Sequence, residues 1–421
     1  MRSASRRCVA IVGGGAAGSM AAIFAASGGA ETLLLERTRD GGRKLLISGG
    51  GRCNILPATL DESRFVTDSS PNTLRKILRS WPLAQQIRFF EEEVGLELAE
   101  EAETGKLFPA SNRARDVRDG LLALARKRGV QLQMNAHVTG CVPTANGFRI
   151  DRQDAPSLEV DAVILATGGL SVPATGSDGF GLTLATGLGH TVVPTYPALT
   201  AISTSRSPFG ALAGISLEIT LEANDGPRRA RATGSFLFTH QGYSGPVVLD
   251  VSHVAVRSLA RGGPSARLEA RWTKRSEATW DAVLRSGGPQ LVLTVLRDEL
   301  PDRLARTLLQ VAGIEARCPL ATLRRDERRR LLDALLRCEL PWTGYEGYDK
   351  AEVTGGGVAL SEVDPRTLES RKHPGLFFCG ELLDAFGPIG GYNLLWAWVT
   401  GRAAGMGASR TSQLPPGGRI S

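Results

Sequence analysis

At 421 residues, 42% hydrophobic and 22% charged, the chain has room for two or three domains and the composition of an ordinary globular protein. Its formal charge of +7 comes from 43 arginines and only seven lysines, a skew that GC-rich coding produces unaided, so charge alone leaves RNA open as a partner without implying it. Six cysteines, at 8, 53, 141, 318, 338 and 379, form no Cys-x-x-Cys or Cys-x4-Cys pair; a zinc ribbon and a redox-active disulfide reductase are excluded, no metal is expected, and a reducing cytoplasm fits.

The basic start through Arg7, followed by an uncharged stretch over 8–30, imitates a secretory or twin-arginine signal. Cleavage near Ala26 would destroy the nucleotide-type turn inside that stretch, so it is read as folded protein. No other run of about 18 apolar residues exists, and no transmembrane span is expected. Residues 8–12 predict a strand, 16–26 a small-residue helix and 32–35 a second strand, a βαβ unit. The turn between strand and helix reads Gly13-x-Gly15-x-x-Gly18, with Ala16 and Ala17 opening the helix. Such a turn brings a pyrophosphate to the helix N-terminus, and Glu36, followed by Arg37, stands where an acid binds ribose hydroxyls. This fixes the ADP half of a dinucleotide and would serve NAD nearly as well as FAD.

FAD is favoured by the next segment, because the chain does not continue with alternating βαβ units but with GGRKLLISGGGRCN at 41–54. Its glycines, Gly50 and Gly51 among them, let backbone lie against a flat ring. Arg43, Lys44 and Arg52 are candidates to pair with phosphate or a reduced flavin, and Ser48, Cys53 and Asn54 complete the segment. Helices are predicted at 73–79, 83–94 and 115–128, and strands at 130–134, 138–142 and 148–151. A buried strand at 160–166 ends in a second ligand-facing turn, Ala166-Thr167-Gly168.

Between 196 and 345 the texture changes to strand-like pieces (211–221, 234–239, 266–272) followed by helical ones (280–285, 290–300, 320–336), an inserted α+β domain. Arg324, Arg325 and the arginines at 328–330 form a solvated face, or a phosphate contact if the substrate is RNA. Ser244 lies between Gly242 and Gly245 but outside any Gly-x-Ser-x-Gly, which excludes that hydrolase motif. Glycines 355–357 and a strand at 376–379 lead into Gly380-Glu381, Asp384 and Gly390-Gly391-Tyr392-Asn393, then a helix from about Asn393. Its first amides would stabilise charge on a flavin pyrimidine. The expected division is 1–195 and 346–407 for an FAD-binding domain, 196–345 for the insert, and 408–421 for a disordered tail.

These segments, with Lys106-Leu107-Phe108-Pro109, ATGGLSVPATGSDG at 166–179, FTHQGYSGP at 238–246 and EGYDKAEVTGGG at 346–357, resemble those of the BaiN/RdsA (YhiN-like) flavoproteins over nearly the whole chain, from about 9 to 405. The resemblance implies an α/β, two-dinucleotide (glutathione-reductase-like) Rossmann FAD domain interrupted by a substrate domain, without a separate NAD domain, so that NAD(P)H docks transiently as electron donor. It also implies reduction of a C=C bond conjugated to a carbonyl, in a 3-oxo-ene steroid or other small enone, or in a uracil of 23S rRNA to give dihydrouridine. Hydride then goes from flavin N5 to the β carbon and an acid protonates the α carbon. Candidate acids are Cys53, Tyr392, His240 and Tyr243. Two rivals stay open: an oxygen-using amine or hydroxyketone oxidase, and an RNA-binding flavoprotein with structural or sensing FAD.

Overall fold

The strand Cys8–Val12 forms where the apolar run predicts it and becomes the centre of a five-stranded parallel sheet. The order is Leu376–Phe378, Ala162–Leu165, Cys8–Val12, Glu31–Glu36, Gln131–Met134. Val9, Ala10, Ile11 and all four residues of Ala162–Leu165 are fully buried, as expected of a parallel sheet covered on both faces. Each side chain the size of Ile11 contributes about 1.5–3 kcal/mol by leaving water. Because the strands are parallel, Val12, Glu36, Leu165 and Phe378 all end on one edge of the sheet, the edge where such sheets bind ligands.

This computed structural model describes residues 6–205, 207–260 and 265–410. They divide into a first unit, ending at Thr195 and resuming at Val353, and a second unit, Tyr196–Glu352. Within the first unit a three-stranded antiparallel sheet, Val138–Thr144, Gly147–Arg152 and Ala155–Val160, occupies the chain between Gln131–Met134 and Ala162–Leu165. The small-residue helix Ala16–Ser27 packs on the helix Tyr392–Ser409. Gly401 and Gly405 make that contact possible, since a Cβ on either would lie 2.3 Å from the carbonyl oxygens of Ala17 and Ala21. The final helix therefore carries two residues past the expected start of the tail at 408; residues 411–421 lie outside the described residues. The helix predicted at 83–94 is Leu83–Arg88 followed by a π turn, Phe89–Glu93.

The second unit has a seven-stranded antiparallel sheet in the order Cys338–Glu339, Arg267–Arg271, Ser216–Asn224, Arg229–Phe238, Gly242–Ser244, Ile202–Ser203, Gly344–Tyr345. Its first long strand starts at Ser216, not 211, because residues 210–212 form a tight turn and Gly214 is left-handed. Two helices are not evident in the sequence. Pro246–Ala260 contains five valines and looks strand-like, yet its buried Val247, Val248, Val251, Val254 and Ala255 keep helical spacing, and Pro246 suits a first helical position. Asp302–Val311 likewise buries one stripe, Leu304, Ala305, Leu308 and Leu309. No helix among the described residues is long and apolar enough to cross a membrane.

Candidate functional site

The glycine turn is built tightly on one side and open on the other. A Cβ on Gly18 would lie 1.8 Å from the Gly13 carbonyl oxygen, so helix and strand approach as only glycine allows. A Cβ on Gly15 would meet nothing within 4 Å. The helix begins at Ala16, and the early amides of Ala16, Ala17 and Gly18 have no partner within the helix. Glu36 is buried; Oε2 accepts from Gly14 N at 2.6 Å, and Oε1 from Thr38 N at 2.7 Å and Thr38 Oγ1 at 2.5 Å. Arg37 is paired with Asp178 at 2.5 Å, and Asp178 also accepts from Phe180 N, so this arginine ties the turn to the 166–179 loop.

The 41–54 segment folds back on that turn, with Gly42 N donating to Gly14 O at 3.0 Å. It contains a short helix, Arg43–Ile47. Arg43 faces Asp40 at 3.2 Å near the surface, Arg52 spans Glu101 and the Phe108 ring, and Lys44 pairs with Glu381, so all three expected cations are engaged by protein groups. Ser48 Oγ donates to Leu45 O. Gly49, Gly50 and Gly51 all have positive φ, which explains three glycines in a row, and Gly50 again faces space with nothing within 4 Å of a built Cβ. Cys53 shares the left-handed conformation despite its side chain and is fully buried; burial pushes its thiol up to about 11 against a weaker opposing hydrogen bond with Ser48. Asn54, with its amide oriented to satisfy both groups, donates to Leu56 O and accepts from Gly391 N, each at 3.1 Å. The glycine loop at 41–54 and the turn at 390–393 are thus in contact.

At the other strand ends, the Ala166 carbonyl abuts Gly13, and Thr167 Oγ1 is buried with no hydrogen-bond partner among the described residues. Gly168 packs on Ser177, and Gly380 on Ala17 at the helix start. Glu381 is the hub of a polar network. Its Oε2 accepts from Lys44 Nζ at 2.6 Å, and its Oε1 from Ser171 Oγ at 2.6 Å and Thr354 N at 2.9 Å; Lys44 also donates to Ser171. Burial would raise this carboxyl, but the Lys44 charge and the hydrogen bonds win and hold it below the usual carboxylate range.

Asp384 is engaged by the protein: its Oδ2 accepts from Thr67 Oγ1, Asp68 N, Ser69 N and Ser69 Oγ at 2.8–3.1 Å, closing the loop at 67–69. Asn393 staples its own turn to Gly387, and a Cβ on Gly390 would meet only Lys106 Cε, at 3.8 Å. The Tyr392 hydroxyl is turned toward Thr59 O and Asp61 N, both at 3.4 Å.

His240 and Tyr243 belong to the second unit. His240 is exposed in the turn before Gly242–Ser244. Tyr243 is in that unit's core, hydrogen-bonded to Pro341 O and Ser207, and burial pushes its hydroxyl up to about 12. The arginine-rich segment is largely neutralised: Arg324 pairs with Glu327, Arg328 with Asp281 and Arg330 with Asp326. Ser171, Thr354 and Asp178 join the site without having been singled out by the sequence. All three lie in glycine-rich segments at or beyond strand ends, which is the signal that marks them, but their partners are 27–210 residues away and nothing local names them.

The sequence matches the HI0933-like protein Rossmann domain family over residues 7–407. It is 33% identical over 375 residues to the 3-dehydro-bile acid delta(4,6)-reductase of Clostridium scindens, covering 87% of this chain and 90% of that one. It is 30% identical over 366 residues to the ribosomal RNA dihydrouridine synthase of Escherichia coli, covering 85% and 86%. Among solved structures, the 3-ketosteroid delta1-dehydrogenase of Sterolibacterium denitrificans superposes with a TM-score of 0.52 at 13% identity, over 95% of this chain and 99% of that one, a likeness of fold. The resemblance carried by SGGGRCN and GGYN is borne out, and the chain belongs to the HI0933-like Rossmann-domain family.

Proposed function

We propose that the chain is an FAD-dependent oxidoreductase that reduces a carbonyl-conjugated C=C bond, with NAD(P)H docking transiently as electron donor. The observation that carries this reading is the convergence, at one sheet edge, of the open backbone at Gly15, the left-handed glycines at 49–51 and the Asn54–Gly391 contact. Open space beside Gly15 and Gly50 and the orphaned buried hydroxyl of Thr167 fit a flat dinucleotide. Gly13–Gly18 and Glu36 would hold its ADP half; the 48–54 loop, Gly168, Gly380 and the turn at 390–393 would hold the flavin half. We read the first unit as the two-dinucleotide type of FAD fold, with the antiparallel sheet at 138–160 as its crossover.

FAD supplies hydride exchange at its ring system. The chain's own part is orientation and the proton. Lys44, fixed by Glu381 and Ser171, keeps a positive charge beside the strand ends. We propose Cys53 as the proton donor on its place in the 41–54 glycine loop, whereas the Tyr392 hydroxyl is turned to backbone groups. His240 and Tyr243 are the alternatives from the second unit.

The names of two relatives support the substrate class, because a 3-oxo group with Δ4,6 unsaturation and the uracil C5=C6 bond are both conjugated to a carbonyl. Deleting the gene and examining large-subunit ribosomal RNA separates the two: loss of a dihydrouridine selects RNA, while an unchanged RNA with NAD(P)H-dependent turnover of a small enone selects the enone. Steady hydrogen peroxide output without NAD(P)H would instead favour an oxidase.

A further inference from the structure

We propose that a basic hollow on the first unit binds the sugar-phosphate backbone of an RNA, a deepening that rests on the reading of RNA as a substrate class. The hollow, of about 610 Å³ and open to solvent, is lined by Asn72, Arg75, Lys76, Arg79, Ser80 and Arg366. Four of these six are cations and none is an acid. Arg79 is held by Glu62, but Arg75 takes only the Asn72 amide oxygen, at 3.2 Å, and the exposed Lys76 and Arg366 have no carboxylate partner among the described residues. A fifth charge lies behind the wall: Arg402, over the Phe24 and Trp81 rings, donates to Ser80 O at 3.3 Å.

The helix dipole favours Arg75 and Lys76 near the end of Pro71–Leu78, but it gives no reason for Arg366, from a segment some 290 residues later, to face the same space. Gathered like charges repel, and a polyanion relieves the repulsion by displacing counterions. The arginine-rich segment at 324–330 is the weaker candidate, since three of its cations already have carboxylates within 2.9 Å. Both segments forming the hollow are tied to the candidate site through one residue: Ser69 Oγ donates to Asp384 and accepts from Leu360 N.

The test is fluorescence anisotropy of an end-labelled single-stranded RNA with flavin-loaded protein, titrated at several salt concentrations. Replacing all three by alanine (Arg75→Ala, Lys76→Ala, Arg366→Ala) is expected to weaken binding at least tenfold and to make the log–log salt slope shallower by about 2, at roughly 0.7 for each phosphate no longer neutralised. The paired change Arg325→Ala, Arg329→Ala in the other unit should leave both unchanged. Flavin content and NAD(P)H-dependent reduction of a small enone, measured on the same samples, should be those of the parent, so failure of the reductase reading would show there and not in RNA binding. Unchanged RNA affinity and slope in the triple variant overturns the proposal. So does a loss confined to NADPH binding, or parent-strength binding to phosphatidylglycerol vesicles, but not to RNA, that the triple change abolishes.

Discussion

Lys44 Nζ lies 2.6 Å from Glu381 Oε2 across 337 residues of sequence. The pair joins the glycine loop to the end of the strand Leu376–Phe378, and Ser171 and Thr354 complete its hydrogen bonds. Removing one partner of a buried pair costs roughly 3–5 kcal/mol, and Glu381→Gln should fall at the low end because the Lys44 side chain is 30% exposed. Because the folded carboxyl lies below its unfolded value, its contribution is present above the unfolded value near pH ~4.3 and is lost as pH falls through the folded one. Urea unfolding should therefore show the parent losing this increment below about pH 4, with Glu381→Gln lacking that loss. Equal stability of the two at pH 7 would contradict the pairing. The double change Lys44→Met, Glu381→Leu should recover part of the loss.

Gly15 and Gly18 should respond in opposite ways to alanine. Gly18→Ala drives a methyl into the Gly13 carbonyl oxygen and should unfold the unit or leave it insoluble. Gly15→Ala meets no protein atom and its φ of −78° suits alanine, so thermal melting should stay near the parent while flavin retention falls. A Gly15→Ala protein that keeps its FAD would remove Gly15 from the binding surface.

Cys53→Ala should leave NAD(P)H-dependent flavin reduction intact and slow product formation by about 10²–10⁴-fold, the range for losing a general acid. Stopped-flow absorbance separates the two half-reactions. Normal product formation would rule Cys53 out as the proton donor.

Asp384 should be separable from flavin binding. Asp384→Asn keeps an oxygen for the 67–69 donors and should cost less than about 1 kcal/mol, whereas Asp384→Ala strands them and should cost about 1–3 kcal/mol. Flavin stoichiometry should be unchanged in both, as read by absorbance after gel filtration.

Much of the first unit is legible locally. The run at 8–12, the glycine turn and the small-residue helix each announce themselves within a dozen residues, and the structure reproduces them almost to the residue. The segments 41–54 and 380–393 are each marked in the sequence by their glycines, and they meet through Asn54 and Gly391. What the sequence withholds is partnership. Arg37, Arg43 and Arg52 pair with Asp178, Asp40 and Glu101, Lys44 pairs with Glu381, and Asp384 holds the 67–69 loop. Pro246–Ala260 is hidden for another reason: valine content argues for a strand while the spacing of the buried positions argues for a helix.

The most direct measurement is anaerobic. Purified protein should carry bound FAD; reduced with one equivalent of NADH or NADPH and then mixed, without oxygen, with a carbonyl-conjugated enone or with ribosomal RNA lacking dihydrouridine, the flavin should reoxidise as an equal amount of saturated product appears. A folded protein that binds no FAD, or a reduced flavin that only oxygen reoxidises, would contradict the reductase assignment.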